Sequence, residues 1–281
     1  MKEIIKDCEF GGERPLYFGR HLRLENVIIN PGESALKETE DIEADRCEFR
    51  GKYPFWCTKG FTVTNCIFRE GARAALWYSE DCVMEDTLVE APKMFREMDR
   101  TSLLRVRIPF AQETFWMCRG IKLRDVEVSK ADYCYFHSRD IDIEDYRHQG
   151  NYSFQYCRNV VIRNAHIDSK DAFWNTENVL VENSSLNGEY LGWYSKGLTL
   201  RGCHISGTQP LCYAEDLVLE NCTFDDDADL AFEYSSVRAE VKGNITSVKN
   251  PRTGSIKADS IGEIIIDENL RAPGDCKING L

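Results

Sequence analysis

LVLENCTF (residues 217–224) is the clearest copy of a phrase that recurs along the chain: apolar, any, apolar, any, Asn or Asp, small, any, large apolar. LRLENVII (22–29), IKLRDVEV (121–128), VIRNAHI (161–167) and LVENSSL (180–186) vary it. KDCEF (6–10), DRCEF (45–49), TNCIF (64–68) and RGCHI (201–205) close on the same chemistry. Taking the first apolar position as an anchor places anchors at Glu3, Leu22, Ile42, Phe61, Cys82, Thr101, Ile121, Ile141, Val160, Val179, Leu198, Leu217 and Val237. Every interval is 19 to 21 residues. Drift that small means a stack in which each repeat touches mainly its neighbours.

Period-two alternation around the Asn/Asp points to strands, and no stretch of helical spacing intervenes. Before each anchor lies a third apolar piece, such as PLYF (15–18), PFWC (54–57), TFWM (114–117) or AFWN (172–175). Three short strands per turn describe an all-β, right-handed parallel β-helix of about 12–13 coils. A leucine-rich repeat horseshoe has a similar period, but its return leg does not alternate. Here the return leg carries its own inward row six before the anchor: Leu16, Leu36, Phe55, Leu76, Phe95, Phe115, Tyr135, Phe154, Phe173, Gly192 and Leu211. We read residues 1–245 as the β-helix and 246–281 as a C-terminal capping segment of the same domain. Ile256, 19 beyond Val237, is the expected start of one last partial coil.

These motifs resemble the right-handed β-helix of the pectate-lyase-like superfamily, in which Asn or Asp side chains stack at a tight turn. Asp7, Asn26, Asn65, Asp86, Asp125, Asp145, Asn164, Asn183 and Asn221 match that ladder, while Arg46, Arg105 and Gly202 interrupt it. The short coils and the tail KNPRTGSIKADSIGEIIID are similar to a bacterial family of short-coil β-helix proteins of unknown function. The broader resemblance implies a polysaccharide cleft on the outer face of the first strand of each coil.

Composition narrows the partners. The 281 residues carry 35 basic and 47 acidic side chains, which disfavours nucleic acid or an anionic membrane. No apolar run is long enough to span a bilayer. Twelve cysteines behind an N-terminus, MKEIIKDCEF, that lacks an apolar export signal suggest a reducing, cytoplasmic setting. Five of them (Cys8, Cys47, Cys66, Cys203, Cys222) share the position five after the anchor, which reads as a buried small-residue ladder. No CxxC spacing argues for zinc. Cys212, at a position otherwise held by tryptophan, is the expected exposed thiol.

All five tryptophans (Trp56, Trp77, Trp116, Trp174, Trp193) lie five before an anchor. Tyr17, Phe136 and Phe232 share the row. Adjacent to the inward row, they should face out by strand alternation. Tyr156, Tyr194 and Tyr213 fall one position later, and Asn175 with them. A stripe of this kind suits the apolar faces of sugars, so Tyr17, Trp56, Trp77, Trp116, Phe136, Tyr156, Trp174, Asn175, Trp193, Tyr194 and Tyr213 are the expected substrate-binding residues. Arg96, Glu97 and His137 form the central charged constellation and are the candidate catalytic groups of a lyase or glycoside hydrolase. The superfamily's Asn-Thr-Asp, Gly-His-Gly and Trp-x-Asp-His signatures are absent, which leaves catalysis open. No cofactor is implied, save that Asp225, Asp226 and Asp227 could hold Ca²⁺. Two functions therefore compete. One is a protein that binds an oligosaccharide or sugar conjugate; the other is a scaffold that self-associates or docks a partner through the same stripe.

Overall fold

The computed structural model describes residues 1–269 and 274–280. The chain divides into two compact units, Met1–Tyr146 and Arg147–Leu281. Each is a parallel β-helix, and the handedness is the right-handed one of β-crossovers. Strand pairing follows the anchors. Glu3 pairs with Leu22, Leu22 with Ile42, Ile42 with Phe61, and Phe61 with Cys82. In the second unit Val160 pairs with Val179, Val179 with Leu198, and Leu217 with Val237.

Wherever Asn or Asp holds the position four after the anchor, the residue is left-handed, with φ of 49–55°. Among non-glycine residues Asn and Asp enter that conformation at the least cost, which favours them in the ladder, although Arg46 and Arg105 adopt it as well. Asn26 Nδ2 also donates to Asp7 Oδ1 one coil back at 2.9 Å. Where arginine interrupts the ladder it finds another use: Arg105 grips Asp86 with two hydrogen bonds of 2.6 and 2.8 Å. The position just before the anchor (His21, Asp41, Asp81, Asp140, Asn159, Asn178, Asp216) is left-handed for the same reason.

The third leg is a succession of turns rather than a pleated strand. Bonds such as Gly19 N to Leu16 O (3.2 Å) close it locally, while bonds such as Leu36 N to Pro54 O (2.7 Å) tie it to the next coil. Along the leg, left-handed residues recur eight and four before the anchor, as Tyr53 and Cys57 or Tyr190 and Tyr194 do. Its inward row is fully buried from Leu36 to Phe173. Phe95, Phe115 and Tyr135 stack face to face at 4.6 and 5.0 Å.

The tail continues the pairing: Thr253–Ala258 lies on Ser236–Val241, and Lys277–Gly280 lies on Thr253–Ala258. The residue opposite Val237 is Gly254, not Ile256, which pairs two places later with Ala239. Only glycine serves there, because φ is 104° and a β-carbon would sit 1.9 Å from the Val237 carbonyl oxygen. Residues 270–273 and 281 of the expected cap lie outside the described residues.

The last coil holds a second departure. Tyr213 N bonds to Glu233 O, whereas earlier coils pair this amide with the residue five before the anchor, as Cys57 does with Trp77. That coil has one residue fewer between its turn leg and the anchor (Phe232 to Val237 is five, Leu211 to Leu217 six), and its extra length lies before the leg. Phe232 therefore belongs to the inward row and is fully buried, and Tyr234 takes the outward place.

Candidate functional site

The outward rows of the turn legs gather the aromatic side chains, separately in each unit. In Met1–Tyr146, Trp56 lies tilted against Trp77 with ring centres 5.3 Å apart, and Trp116 lies tilted against Phe136 at 5.3 Å. Arg96 fills the gap between the pairs, its guanidinium carbon 4.2 Å from the Trp77 ring centre and 4.7 Å from that of Trp116. A guanidinium is flat and delocalised, so it can take a ring's place in a stack. The indole N–H groups are spent inward, Trp77 on Lys93 O at 2.8 Å and Trp116 on Tyr133 O at 2.5 Å. The tryptophans are thus half-buried, packed against a neighbouring ring or the Arg96 guanidinium. The exposed apolar surface belongs to their neighbours, including Tyr78 at 45% and Tyr133 at 43%. Tyr17 and Phe18 start the unit, with the Tyr17 hydroxyl donating to Glu38 at 2.9 Å.

The three candidate catalytic residues part company here. Arg96 is clamped between rings, with its Nε buried and without a hydrogen-bond partner, and Glu113 stands 3.9 Å from Nη2. Glu97 is exposed on the left-handed position next to it. His137, also left-handed and exposed, has its ring edge-on to Phe136 at 4.4 Å.

In Arg147–Leu281, the rings run Tyr156–Trp174 (6.2 Å), Trp174–Trp193 (5.2 Å), Trp193–Tyr194 (5.5 Å), Tyr194–Tyr213 (5.2 Å) and Tyr213–Tyr234 (5.3 Å). Tyr194 is 50% exposed and Tyr156 38%. Asn175 borders Trp193 through its own N–H, which donates to Trp193 O at 3.0 Å. Behind this run lies Asp171, which the sequence offers only as one of the polar groups bordering the rings. Asp171 is 2% exposed, and its Oδ1 is buried without a hydrogen-bond partner. Burial raises its pKa to about 6, partly offset by Lys170 and reinforced by Glu189. The available signal was its row, eight before the anchor, where most residues are long or aromatic.

A family model matches residues 3–279. The chain belongs to that family, Protein of unknown function (DUF3737). No curated protein matches it in sequence. Among solved structures it is similar to the mannuronan C-5 epimerase AlgE4 A-module of Azotobacter vinelandii, at 8% identity and a TM-score of 0.35, over 99% of this chain and 89% of that one. It is similar to a point mutant of the periplasmic alginate epimerase AlgG at 8% identity and a TM-score of 0.35, over 99% and 74%. It is also similar to the catalytic domain of a GH87 α-1,3-glucanase crystallised with tetrasaccharides, at 8% identity and a TM-score of 0.25, over 88% and 64%. The fold of this DUF3737 member rests on its own pairing register.

The remaining expectations resolve locally. Cys212 is 2% exposed, and its thiol is pushed up to about 12, by burial first and then by Glu233. It is inert, because its smaller side chain lets neighbouring groups close over it. Of the repeated cysteines, Cys47, Cys66, Cys203 and Cys222 are buried and Cys8 is only half-buried; the buried ones donate weakly to carbonyls, as Cys66 does to Ala44 O at 3.4 Å. Asp225 faces His204 at 3.1 Å, Asp227 caps Gly207 N at 3.1 Å, and Asp226 offers its carbonyl to Thr246 at 2.9 Å. Their partners differ, and among the described residues no three His, Cys, Asp or Glu side chains converge as a metal site.

Proposed function

We propose that this protein binds an oligosaccharide or sugar conjugate along its turn legs, with the half-exposed tyrosines as the contact surface and the stacked tryptophans as their rigid backing. The observation that carries this reading is the run from Tyr156 to Tyr234, six rings at steps of 5.2–6.2 Å with Tyr194 half-exposed. Such rings offer apolar surface to sugar C–H groups, and their hydroxyls meet sugar oxygens at little entropic cost. Because the indole faces are occupied by one another, binding falls on Tyr156, Tyr194 and Tyr213 more than on Trp174 and Trp193. In the other unit the corresponding role goes to Tyr17 and Tyr78, backed by Trp56, Trp77, Trp116 and Phe136. Arg96 is assigned here to the stack, and no reaction is assigned to Glu97 or His137.

Tryptophan fluorescence titration against a panel of neutral and acidic oligosaccharides tests the proposal. The expected result is a saturable change, weakened about tenfold in Tyr194→Ala, the loss of one good ring contact. Fluorescence and calorimetry that stay flat across the panel would overturn it. In that case a dimeric solution mass abolished by Tyr194→Ala would favour the scaffold reading.

A further inference from the structure

Away from the aromatic legs, at the corner between the second strand and the turn leg of unit Met1–Tyr146, successive coils place Glu70, Glu90, Phe110 and Lys130 at 20-residue intervals. They line a groove of about 250 Å³ together with Pro92 and Gln112. Phe110 is 43% exposed at this corner, a large apolar ring that the core does not use. Strands Leu88–Val89, Asp99–Ile108 and Arg119–Val128 end just before the corner and hold its geometry.

We propose that this groove is a binding site for a single neutral sugar ring, the ring's C–H face lying on Phe110 and its hydroxyls on Glu70 and Gln112. The inference rests on the carbohydrate-binding reading above and adds a second, separate site to it. Size and charge select the ligand. The groove falls below the ~300–1,000 Å³ of sites for drug-sized ligands, so it takes one ring rather than a chain. Lys130 stands over one face of Phe110, its ammonium 4.2 Å from the ring centre, so the sugar is seated on the opposite face and a cationic ligand would be repelled. An anionic ligand would meet Glu70 and Glu90. Glu90 is itself matched by Arg69 at 3.3 Å, so the lining is close to neutral overall. A purely apolar ligand would strand the Glu70 carboxylate and the Gln112 amide away from water. A polyhydroxylated ring with one apolar face satisfies all of these groups together.

Calorimetry and saturation-transfer NMR on the full chain decide the matter, using glucose, galactose, mannose and N-acetylglucosamine, with glucosamine and glucuronate as charged controls. At least one neutral sugar should bind, and both charged controls should bind more weakly. Phe110→Ala should weaken binding about tenfold, and Glu70→Gln several-fold. Both positions are exposed, so the melting temperature should hold; if Phe110→Ala unfolds, Glu70→Gln and Gln112→Ala carry the test. Equal binding of the charged controls, or wild-type affinity in Phe110→Ala, overturns the groove. If Tyr194→Ala abolishes oligosaccharide binding while Phe110→Ala leaves all sugar binding intact, the turn-leg reading survives and the groove fails. If only Phe110→Ala has an effect, the groove stands and the turn-leg reading fails. If no sugar binds at all, both fail.

Discussion

The two aromatic regions solve one problem in opposite ways. In Met1–Tyr146 a charged residue joins the outward stack, and in Arg147–Leu281 a charged residue is buried behind it. Arg96 is accommodated because its delocalised guanidinium stands 4.2 and 4.7 Å from two indole ring centres and its side chain remains 20% exposed. Asp171 has neither compensation. Its carboxyl is enclosed, one oxygen lacks a partner, and the ionised form is penalised. The row of rings therefore tolerates charge when the charge is planar and at a ring face. A carboxylate in the same architecture becomes a proton-binding group.

The inward rows should be insensitive to this difference, and that is where the largest effects are expected. Phe115→Ala and Phe173→Ala each remove a fully buried ring and should each cost about 3–5 kcal/mol in denaturant unfolding. Very unequal costs would break the claim that the two units are built on the same kind of inward row. Next comes Asp171→Asn. A carboxyl whose folded pKa lies above its unfolded value binds its proton more tightly when folded. Stability is then highest below about pH 4, declines up to about pH 6, and stays low above that. Removing the titration should raise stability by up to about 3 kcal/mol at pH 8 and by nothing at pH 3. A stability gap independent of pH would contradict the burial argument.

Arg96→Ala should cost about 2 kcal/mol, the sum of two cation–π contacts, with Arg96→Lys recovering only part, since an ammonium is not flat. Thermal melts of the three proteins check the order. The smallest effect belongs to Glu48, whose pKa is lowered to about 2 by hydrogen bonds from Arg50 and Arg69. Its sign is opposite to that of Asp171. The contribution is present above about pH 4.5 and is lost as pH falls toward 2. Partial exposure of the pair reduces it to about 1 kcal/mol, which Glu48→Gln should remove at pH 7. Hydrogen exchange between pH 3 and 8 should thus show the two units drifting in opposite directions.

The fold was legible because the repeat writes its register in pairs of residues. The anchors from Glu3 to Phe61 meet the partners the period assigns them. The Asn/Asp ladder was legible because a left-handed turn restricts side-chain choice. The turn leg was misread as a strand, since side chains of PFWC and TFWM can point alternately in and out whether the alternation comes from pleat or from changes in the sign of φ. Phe232 was assigned outward because counting back from Val237 assumes six residues from the inward position to the anchor, while this coil has five. Among the site residues, the placement of Arg96 in the tryptophan row was readable, but its clamping between two rings was not. Asp171 was beyond sequence, because its chemistry comes from what surrounds it and not from its own neighbours in the chain.

The slip at the last coil has a wider meaning. One residue lost between the turn leg and the anchor exchanged the outward and inward places of Phe232 and Tyr234, yet strand pairing resumed at Val237. Lengthening by a whole coil would preserve every ladder, whereas lengthening by one residue inside a leg would turn each following side chain of that leg to the wrong face. A gene of this kind can grow by copying complete periods but not by small insertions placed at random. Its history should then be recorded as whole coils gained or lost, with length variation tolerated at the corners alone.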